Sequence, residues 1–368
     1  MKNLLGVDFG TTSLKACLFN EDGELLTSES AQYNLITKDE FVEFDANEFF
    51  NVFISTVNKI IDKYSVYAMS IDTQGETMIM LDKDNKPLMN AIIWLDNRAN
   101  KQAKDIEKKF TVEGIYNLTG QAEIPAGYPA PKIMWLKENM PNVYNKTAHY
   151  CLLEDYIIFR LTGKFMASRS LYSSSLLMNI KTGKYIPEML EYLGIKESQL
   201  STLKESGELV GEYNGIEITT SALDQIAGAT GAGVIKEGIV SETTGTCLSV
   251  CAMTNKLPKW YNGLNVSAYY VKKDLFCLLL WAPTAGATLE WFKKNFCEND
   301  DYARLNELAE KVPEGCEGLK CVPHFCGTVV PENNPNVKGE FTGITLKHTK
   351  GHFVRAIMES IANTIKEY

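Results

Sequence analysis

The chain has 368 residues, of which 45% are hydrophobic and 23% charged, and its formal net charge is −9 at pH 7. This length predicts two domains, and the composition is typical of a globular protein. An acidic chain without a Lys- and Arg-rich stretch is a poor match for nucleic acid. No apolar run reaches the length of a membrane span. We therefore expect neither nucleic acid nor a membrane as a partner.

The N-terminal residues and the cysteines favour a cytoplasmic location. Residues 4–9 already read as a strand, so we expect no signal segment ahead of them. The nine cysteines are odd in number and scattered, which suits a reducing compartment. One cluster of potential zinc ligands lies late in the chain: Cys316, Cys321, His324 and Cys326. The cluster contains no C-x-x-C pair, and this spacing favours its interpretation as an apolar strand end rather than a zinc site.

Residues 4–26 predict a β-hairpin whose turn can bind phosphate. Two apolar strands, residues 4–9 and 14–19, flank a turn made of small and hydroxyl-bearing residues: Gly10, Thr11 and Thr12. Such a turn leaves backbone N–H groups open to phosphate oxygens, and its hydroxyls add donors. Lys15 adds a positive charge, and Asp8 at the strand end can hold Mg²⁺ through water. A polar turn with a salt-bridged aspartate is the alternative.

The segments that follow alternate between strand and helix patterns. We predict a third strand near residues 31–35 and an amphipathic helix over residues 45–64, capped by Asp45 and Asn47. Residues 66–72 read as a further strand. This order predicts an α/β fold with a mixed sheet.

Two polar segments at strand ends are candidates for substrate chemistry. Gln74 and Glu76 lie in a Gln-Gly-Glu-Thr segment that can hydrogen-bond a polyol, although a simple turn explains it equally. Asp224, in Ala-Leu-Asp-Gln, lies between a strand and a helix of small residues. A partly desolvated carboxylate there can act as a general base toward a hydroxyl. A helix N-cap is the alternative.

A second strand, Gly/Thr turn and strand appear at residues 238–250, echoing the first hairpin. One such hairpin per domain predicts a two-lobed protein with a cleft between the lobes. We place the N-terminal lobe at residues 1–236 and the second lobe at 237–368. Any two hairpins with Gly/Thr turns look alike, which is the alternative interpretation.

Six segments in a fixed order together resemble the FGGY carbohydrate kinases, the family of xylulose, glycerol, gluconate and ribulose kinases. They are DFGTTSLKA (8–16), WLDNR (94–98), Asp155-Tyr156 with RLTG (160–163), ALDQ (222–225), TGT (244–246) and GEFTGITLKHT (339–349). The resemblance covers almost the whole chain. It implies an actin-like ATPase fold of two RNase H-like lobes.

The resemblance also implies a reaction, the transfer of the γ-phosphoryl group of ATP to a sugar or polyol hydroxyl with Mg²⁺. Asp224 would then be the general base, and Asp8 would organise Mg²⁺. The residues implied for ATP are Gly10, Thr11, Thr12, Lys15, Gly245, Thr246, Gly286 and Glu290. The residues implied for the acceptor are Gln74, Glu76 and Gln225. We expect Trp94, Asp96 and Arg98 of the WLDNR segment to brace the first lobe rather than to touch the substrate. A homodimer is compatible with the family.

Two departures from the family pattern leave questions open. Gly75 stands where glycerol kinases carry Arg and xylulose kinases read Gln-Met-His-Gly, so a ketopentose such as xylulose, a tetritol or another small polyol all fit. The chain also ends inside a predicted helix, before the family's adenosine loop, so we expect an incomplete second lobe and a fragment of a longer kinase. A non-catalytic sugar-binding or regulatory protein of the same fold is the main alternative.

Overall fold

The computed structural model describes residues 2–260, 267–329, 334 and 336–368. These residues form two compact units. The first unit comprises residues 2–235, 253–260 and 267–277, and the second comprises residues 236–252 and the described part of 278–368. No described helix is long and apolar enough to cross a membrane.

Up to residue 235 the chain contains groups of strands separated by helices. The strands are β1 (Leu4–Phe9), β2 (Ser13–Phe19), β3 (Leu25–Gln32), β4 (Ile36–Lys38), β5 (Phe41–Phe44), β6 (Ala68–Thr73), β7 (Met78–Leu81), β8 (Ala91–Ile92), β9 (His149–Leu152), β10 (Met166–Ser168), β11 (Met178–Asn179), β12 (Lys184–Tyr185), β13 (Thr202–Lys204), β14 (Leu209–Tyr213) and β15 (Ile216–Leu223). The helices are α1 (Ala46–Ile61), α2 (Asn100–Phe110), α3 (Val112–Thr119), α4 (Pro129–Asn139), α5 (Pro141–Lys146), α6 (Leu153–Thr162), α7 (Arg169–Tyr172), α8 (Pro187–Leu193) and α9 (Asp224–Gly231), with a 3₁₀ turn at Glu197–Gln199.

The remaining chain has fewer elements. Its strands are β16 (Val240–Thr244), β17 (Leu248–Thr254), β18 (Ser267–Tyr269), β19 (Phe276–Ala282), β20 (Lys320–Val322) and β21 (Glu340–Thr342). Its helices are α10 (Gly286–Phe296), α11 (Tyr302–Glu310) and α12 (Lys350–Glu367), with a 3₁₀ turn at Cys316–Gly318.

A six-stranded mixed sheet organises the first unit, in the order β14-β15-β6-β1-β2-β3. The three central strands β15, β6 and β1 run parallel, whereas β2 and β3 are antiparallel additions. Asp8 lies opposite Asp72, and Leu223 lies opposite Thr73. Because parallel strands end at the same edge, this register collects the residues at their carboxyl ends in one place.

Alternating side chains of the first hairpin form the core of this sheet. Leu5, Val7 and Phe9 of β1 are buried, as are the alternate residues of β2. Helix α1 covers this face with buried residues spaced at helical intervals, including Phe49 and Phe53. The predicted cap of this helix is confirmed for Asp45, whose Oδ1 accepts the backbone N–H groups of residues 47 and 48 at 2.7 and 3.2 Å.

The third strand differs from its prediction at residues 31–35. It covers Leu25–Gln32 and pairs with β2 from Ser13 opposite Gln32. Its residues are exposed or half-buried, because it is an edge strand with a polar sequence. Backbone pairing rather than an apolar pattern forms this strand, so hydrophobic periodicity placed it too late.

A second sheet, in the order β4-β5-β8-β7-β9, carries the Trp-Leu-Asp-Asn-Arg segment just after β8. The Arg98 guanidinium is buried and binds Asp96 at 2.7 Å and Glu43 at 2.6 Å. Asp96 also accepts the backbone N–H of Val42 at 2.7 Å. This buried charge network joins the segment to β5, so Asp96 and Arg98 brace the first unit internally.

Two adjacent carboxyl groups at the start of α6 are fully buried. Both oxygens of Glu154 accept backbone N–H groups, from Ser168 at 2.9 Å and from Ser221 at 2.7 Å. Asp155 instead accepts hydroxyl groups, from Tyr172 at 2.9 Å and from Ser201. Burial raises the pKa of each carboxyl to about 7.

We predict that Asp155→Asn gains stability relative to the wild type as pH rises. The folded pKa of Asp155 lies above its unfolded value, so its contribution is present at low pH and is lost between about pH 4 and pH 7. An amide keeps an oxygen for both hydroxyls and has no charge to bury. Melting temperatures at pH 5 and pH 8 should show a difference that moves in favour of the variant by a few degrees.

Glu154→Gln is the matched control for Asp155→Asn. Glu154 has a similarly raised pKa, so its variant also gains relative to the wild type as pH rises. Its amide nitrogen would nevertheless face a backbone N–H donor, so we expect a lower melting temperature than that of the wild type at both pH values. An Asp155→Asn variant as destabilised at pH 8 as Glu154→Gln would contradict the prediction.

Candidate active site

Three carboxyl groups lie together at the carboxyl ends of the parallel strands. The carboxyl groups of Asp8 and Asp72 lie within interaction distance of each other, and burial raises the pKa of both. Burial and the negative charges of Asp8 and Asp224 hold the pKa of Asp72 well above its usual range. Lys15, opposite Asp8 in the hairpin register, opposes the rise that burial causes in the pKa of Asp8.

Asp224 is the first residue of α9, so Leu223 and not Asp224 is the N-cap. Its carboxyl is half-buried, and its Oδ1 accepts the backbone N–H of Gln225 at 2.7 Å. Burial and the charge of Asp8 raise the pKa of Asp224 to about 6. At pH 7 this carboxylate is mostly ionised yet close enough to its pKa to accept a proton readily.

Three side chains form hydrogen bonds to the turn of the first hairpin. The Tyr33 hydroxyl donates to the carbonyl oxygen of Gly10. The Gln74 amide nitrogen lies 3.4 Å from the same oxygen and 3.3 Å from the Tyr33 hydroxyl. The Trp94 indole N–H donates to Thr11 Oγ1 at 3.0 Å. Thr12 and Lys15 are exposed, so neither side chain packs in the core.

The three candidates for acceptor binding differ in exposure. Gln74 is buried, and its Oε1 has no hydrogen-bond partner among the described residues. Glu76 is half-buried, and Gln225 is exposed. Burial raises the pKa of Glu76, the Ser174 hydroxyl and the Lys132 ammonium oppose this rise, and the charge of Asp224 adds to it. The carboxyls of Glu76 and Asp224 are therefore near enough to interact.

Three of the four candidates in the second unit lie together. The Gly286 backbone N–H donates to the Gly245 carbonyl at 2.9 Å, and the Thr246 carbonyl accepts N–H groups of residues 285 and 287. A Cβ atom at Gly286 would lie 2.5 Å from that Gly245 oxygen, so the contact requires glycine. Glu290 is exposed one turn further along α10.

Sequence reasoning assigned no role to three residues that shape this site. Asp72 was recognisable in principle, since it ends a predicted strand as Asp8 nearly ends β1, and neighbouring parallel strands share an edge. The partners of Tyr33 and Lys132 lie far away in the sequence, so neither role could be predicted from neighbouring residues. A lysine in the apolar segment Pro-Ala-Pro-Lys-Ile-Met-Trp is the single unusual feature near position 132.

Comparison with known proteins identifies the family. Residues 3–233 match the FGGY family of carbohydrate kinases, N-terminal domain, and residues 244–367 match its C-terminal domain. The chain is 28% identical to a xylulose kinase of Bacillus subtilis, covering 100% of this chain and 77% of that protein. It is 29% identical to a gluconokinase of Bacillus licheniformis, covering 97% and 74%. A Plasmodium falciparum glycerol kinase solved with ADP superposes with a TM-score of 0.91 at 27% identity, covering 100% and 78%.

These matches confirm the resemblance read from the six sequence segments. They also confirm the mixed α/β fold of the actin-like ATPases and the expectation of a kinase, an enzyme that phosphorylates a sugar or polyol with ATP. The chain belongs to the FGGY family of carbohydrate kinases.

Proposed function

We propose that this carbohydrate kinase phosphorylates a hydroxyl of a small neutral ketose or polyol, with a ketopentose such as xylulose preferred and Asp224 as the general base. The main support is the state of the Asp224 carboxyl, which is half-buried, has a pKa of about 6 and lies near Asp8 and Glu76. A helix cap would need none of these features.

The charges around Asp224 support a neutral acceptor over an aldonate. Asp8 and Glu76 add carboxyl groups close to Asp224. The nearby Lys132 ammonium is already bound by three backbone carbonyl oxygens. Gly75 contributes no side chain. A substrate carboxylate would meet like charges in a partly desolvated place, which costs binding free energy.

The relatives alone do not separate these acceptors, because a xylulose kinase and a gluconokinase match at nearly equal identity. The charge distribution therefore carries the preference for a neutral acceptor over an aldonate.

In the proposed reaction the acceptor oxygen attacks the γ-phosphorus of ATP. Asp224 takes the hydroxyl proton, the new bond joins the acceptor oxygen to phosphorus, and the bond from phosphorus to ADP breaks. Gln74 Oε1, the Glu76 carboxylate and Gln225 would receive or orient the remaining hydroxyls. Holding the acceptor in this orientation supplies much of the rate, since the protein performs little covalent chemistry.

The first hairpin would supply Gly10, Thr11, Thr12 and Lys15 to the phosphates, and the second unit would supply Gly245, Thr246, Gly286 and Glu290. A Mg²⁺ ion fits the oxygen donors at Asp8, since Mg²⁺ commonly binds one or two carboxylates, water and substrate phosphates. The described residues contain no group of three or more His, Cys, Asp or Glu side chains placed to hold a metal ion. When bound, Mg²⁺ would neutralise phosphate charge.

We predict that Asp224→Asn lowers kcat by about 10²- to 10⁴-fold, the usual contribution of a general base. ADP release should be measured with D-xylulose, erythritol, glycerol and gluconate, and we expect D-xylulose to be used and gluconate to be rejected. Asp45→Asn is the control, because Asn caps a helix as well as Asp does.

Acceptor-dependent thermal shifts without ADP release from the wild type would replace the kinase mechanism by the binding-protein alternative. Equal activity of Asp224→Asn and Asp45→Asn would remove Asp224 as the base.

The pH profile tests the protonation state of Asp224. A base must be ionised to act, so kcat/KM for the acceptor should fall about tenfold per unit below about pH 6 and level off above it. The measurement uses saturating ATP and Mg²⁺ from pH 5 to pH 8. A profile that stays level down to pH 5 would exclude a base with this pKa.

The metal assignment predicts that Asp8→Asn raises the Mg²⁺ concentration for half-maximal activity by about tenfold or more. The loss of one negative oxygen weakens the site, whether the ion is bound directly or through water. Asp22→Asn, in the exposed turn after β2, is the control. Identical Mg²⁺ titrations for both variants would exclude a role of Asp8 in binding Mg²⁺.

A further inference from the structure

The side chain of Lys132 is completely buried in the first unit. Its Nζ donates to three backbone carbonyl oxygens, those of Glu76 at 2.8 Å, Ile92 at 3.1 Å and Ile93 at 3.0 Å. A lysine ammonium has three donors, and here all three have protein partners.

Burial of this ammonium costs free energy, because the charged group loses its hydration, and its contacts must offset that cost. Desolvation lowers the pKa of Lys132, and the negative charges of Glu76 and Asp96 oppose that effect. Two of its carbonyl partners lie at the end of β8, immediately before Trp94, whose indole binds Thr11 of the first turn. The third is Glu76 itself. Lys132 therefore joins the Gln-Gly-Glu segment to the chain that supports the hairpin turn.

The backbone of Glu76 needs such support. Its φ is +56°, in the left-handed region that non-glycine residues seldom adopt. The preceding Gly75 is also confined, because a Cβ atom there would lie 2.8 Å from Leu223 Cδ1. The Glu76 carbonyl is directed to Lys132, while its carboxyl contacts the Ser174 hydroxyl and interacts with Asp224.

We propose that Lys132 is a positioning residue for the acceptor: by binding the Glu76 carbonyl, it fixes the left-handed backbone of Glu76 and thereby the position of the Glu76 side chain. This inference rests on the proposed function of Glu76 in acceptor binding. Lys132 itself is too deeply buried to touch a substrate.

The test compares Lys132→Met with Lys137→Met in the full chain. Lys137 lies on the same helix, and its Nζ donates to the backbone carbonyl of Leu193 at 3.2 Å. We expect Lys132→Met to raise KM for D-xylulose by about tenfold or more, since small displacements of binding groups have large effects. KM for ATP should stay within about twofold. Lys137→Met should leave both constants unchanged.

D-Xylulose binding without ATP, measured by calorimetry, gives a second readout that does not require turnover. Weaker binding by Lys132→Met at an unchanged ATP affinity supports the positioning role. If Lys132→Met does not fold, Lys132→Arg keeps the charge but not the three-carbonyl geometry, and the same rise in KM for the acceptor is expected. Unchanged acceptor KM in either folded variant, or equal rises for acceptor and ATP, would overturn the proposal.

A double-mutant cycle connects the effect to Glu76. If Lys132 acts through Glu76, then Glu76→Gln should raise acceptor KM much less in the Lys132→Met background than in the wild type. Additive effects would show that Lys132 acts elsewhere. A wild type that turns over and binds none of the four acceptors would instead refute the proposed function, a result distinct from an active wild type with an indifferent Lys132→Met.

Discussion

The parallel pairing of β1, β6 and β15 is the constraint on which the candidate site depends. It brings together the ends of three segments that lie about 60 and 150 residues apart in the sequence and sets Asp8 directly opposite Asp72. The β15 strand then leads into α9 at Asp224. No side chain needs a special contact to reach this edge, because the backbone ladder determines where each strand ends. The chemistry of the first unit thus follows from strand direction.

That convergence concentrates negative charge, and the structure compensates in three ways. Burial and the neighbouring carboxylates raise the pKa of Asp72 well above its usual range, which reduces the negative charge of the group near neutral pH. Lys15 lies across the hairpin from Asp8 and offsets its negative charge. Lys132 opposes the rise that burial causes in the pKa of Glu76. The carboxyl of Asp224 is left with an elevated pKa, which is the property that a base working near neutral pH requires.

Local patterns in the sequence predicted the parts of this arrangement that depend on neighbouring residues. The first hairpin, helix α1 with its Asp45 cap and the position of Asp224 at a strand end all arise from short-range periodicity and turn residues. The polar edge strand β3 was placed wrongly because pairing, not burial, creates it. Tyr33 and Lys132 were missed because their partners lie 23 and 39 to 56 residues away. The roles of the individual site residues remain proposals.

The contact between Gly286 and Gly245 links two parts of the second unit through their backbones alone. The turn at Gly245 and the first residues of α10 share hydrogen bonds, and no side chain separates them. Helix α10 in turn packs on α12 through the stacked rings of Phe292 and Phe353. A displacement of the turn therefore cannot be absorbed by side-chain rearrangement and must carry the start of α10 with it. Any movement of the hairpin turn is therefore coupled to the start of this helix through the backbone.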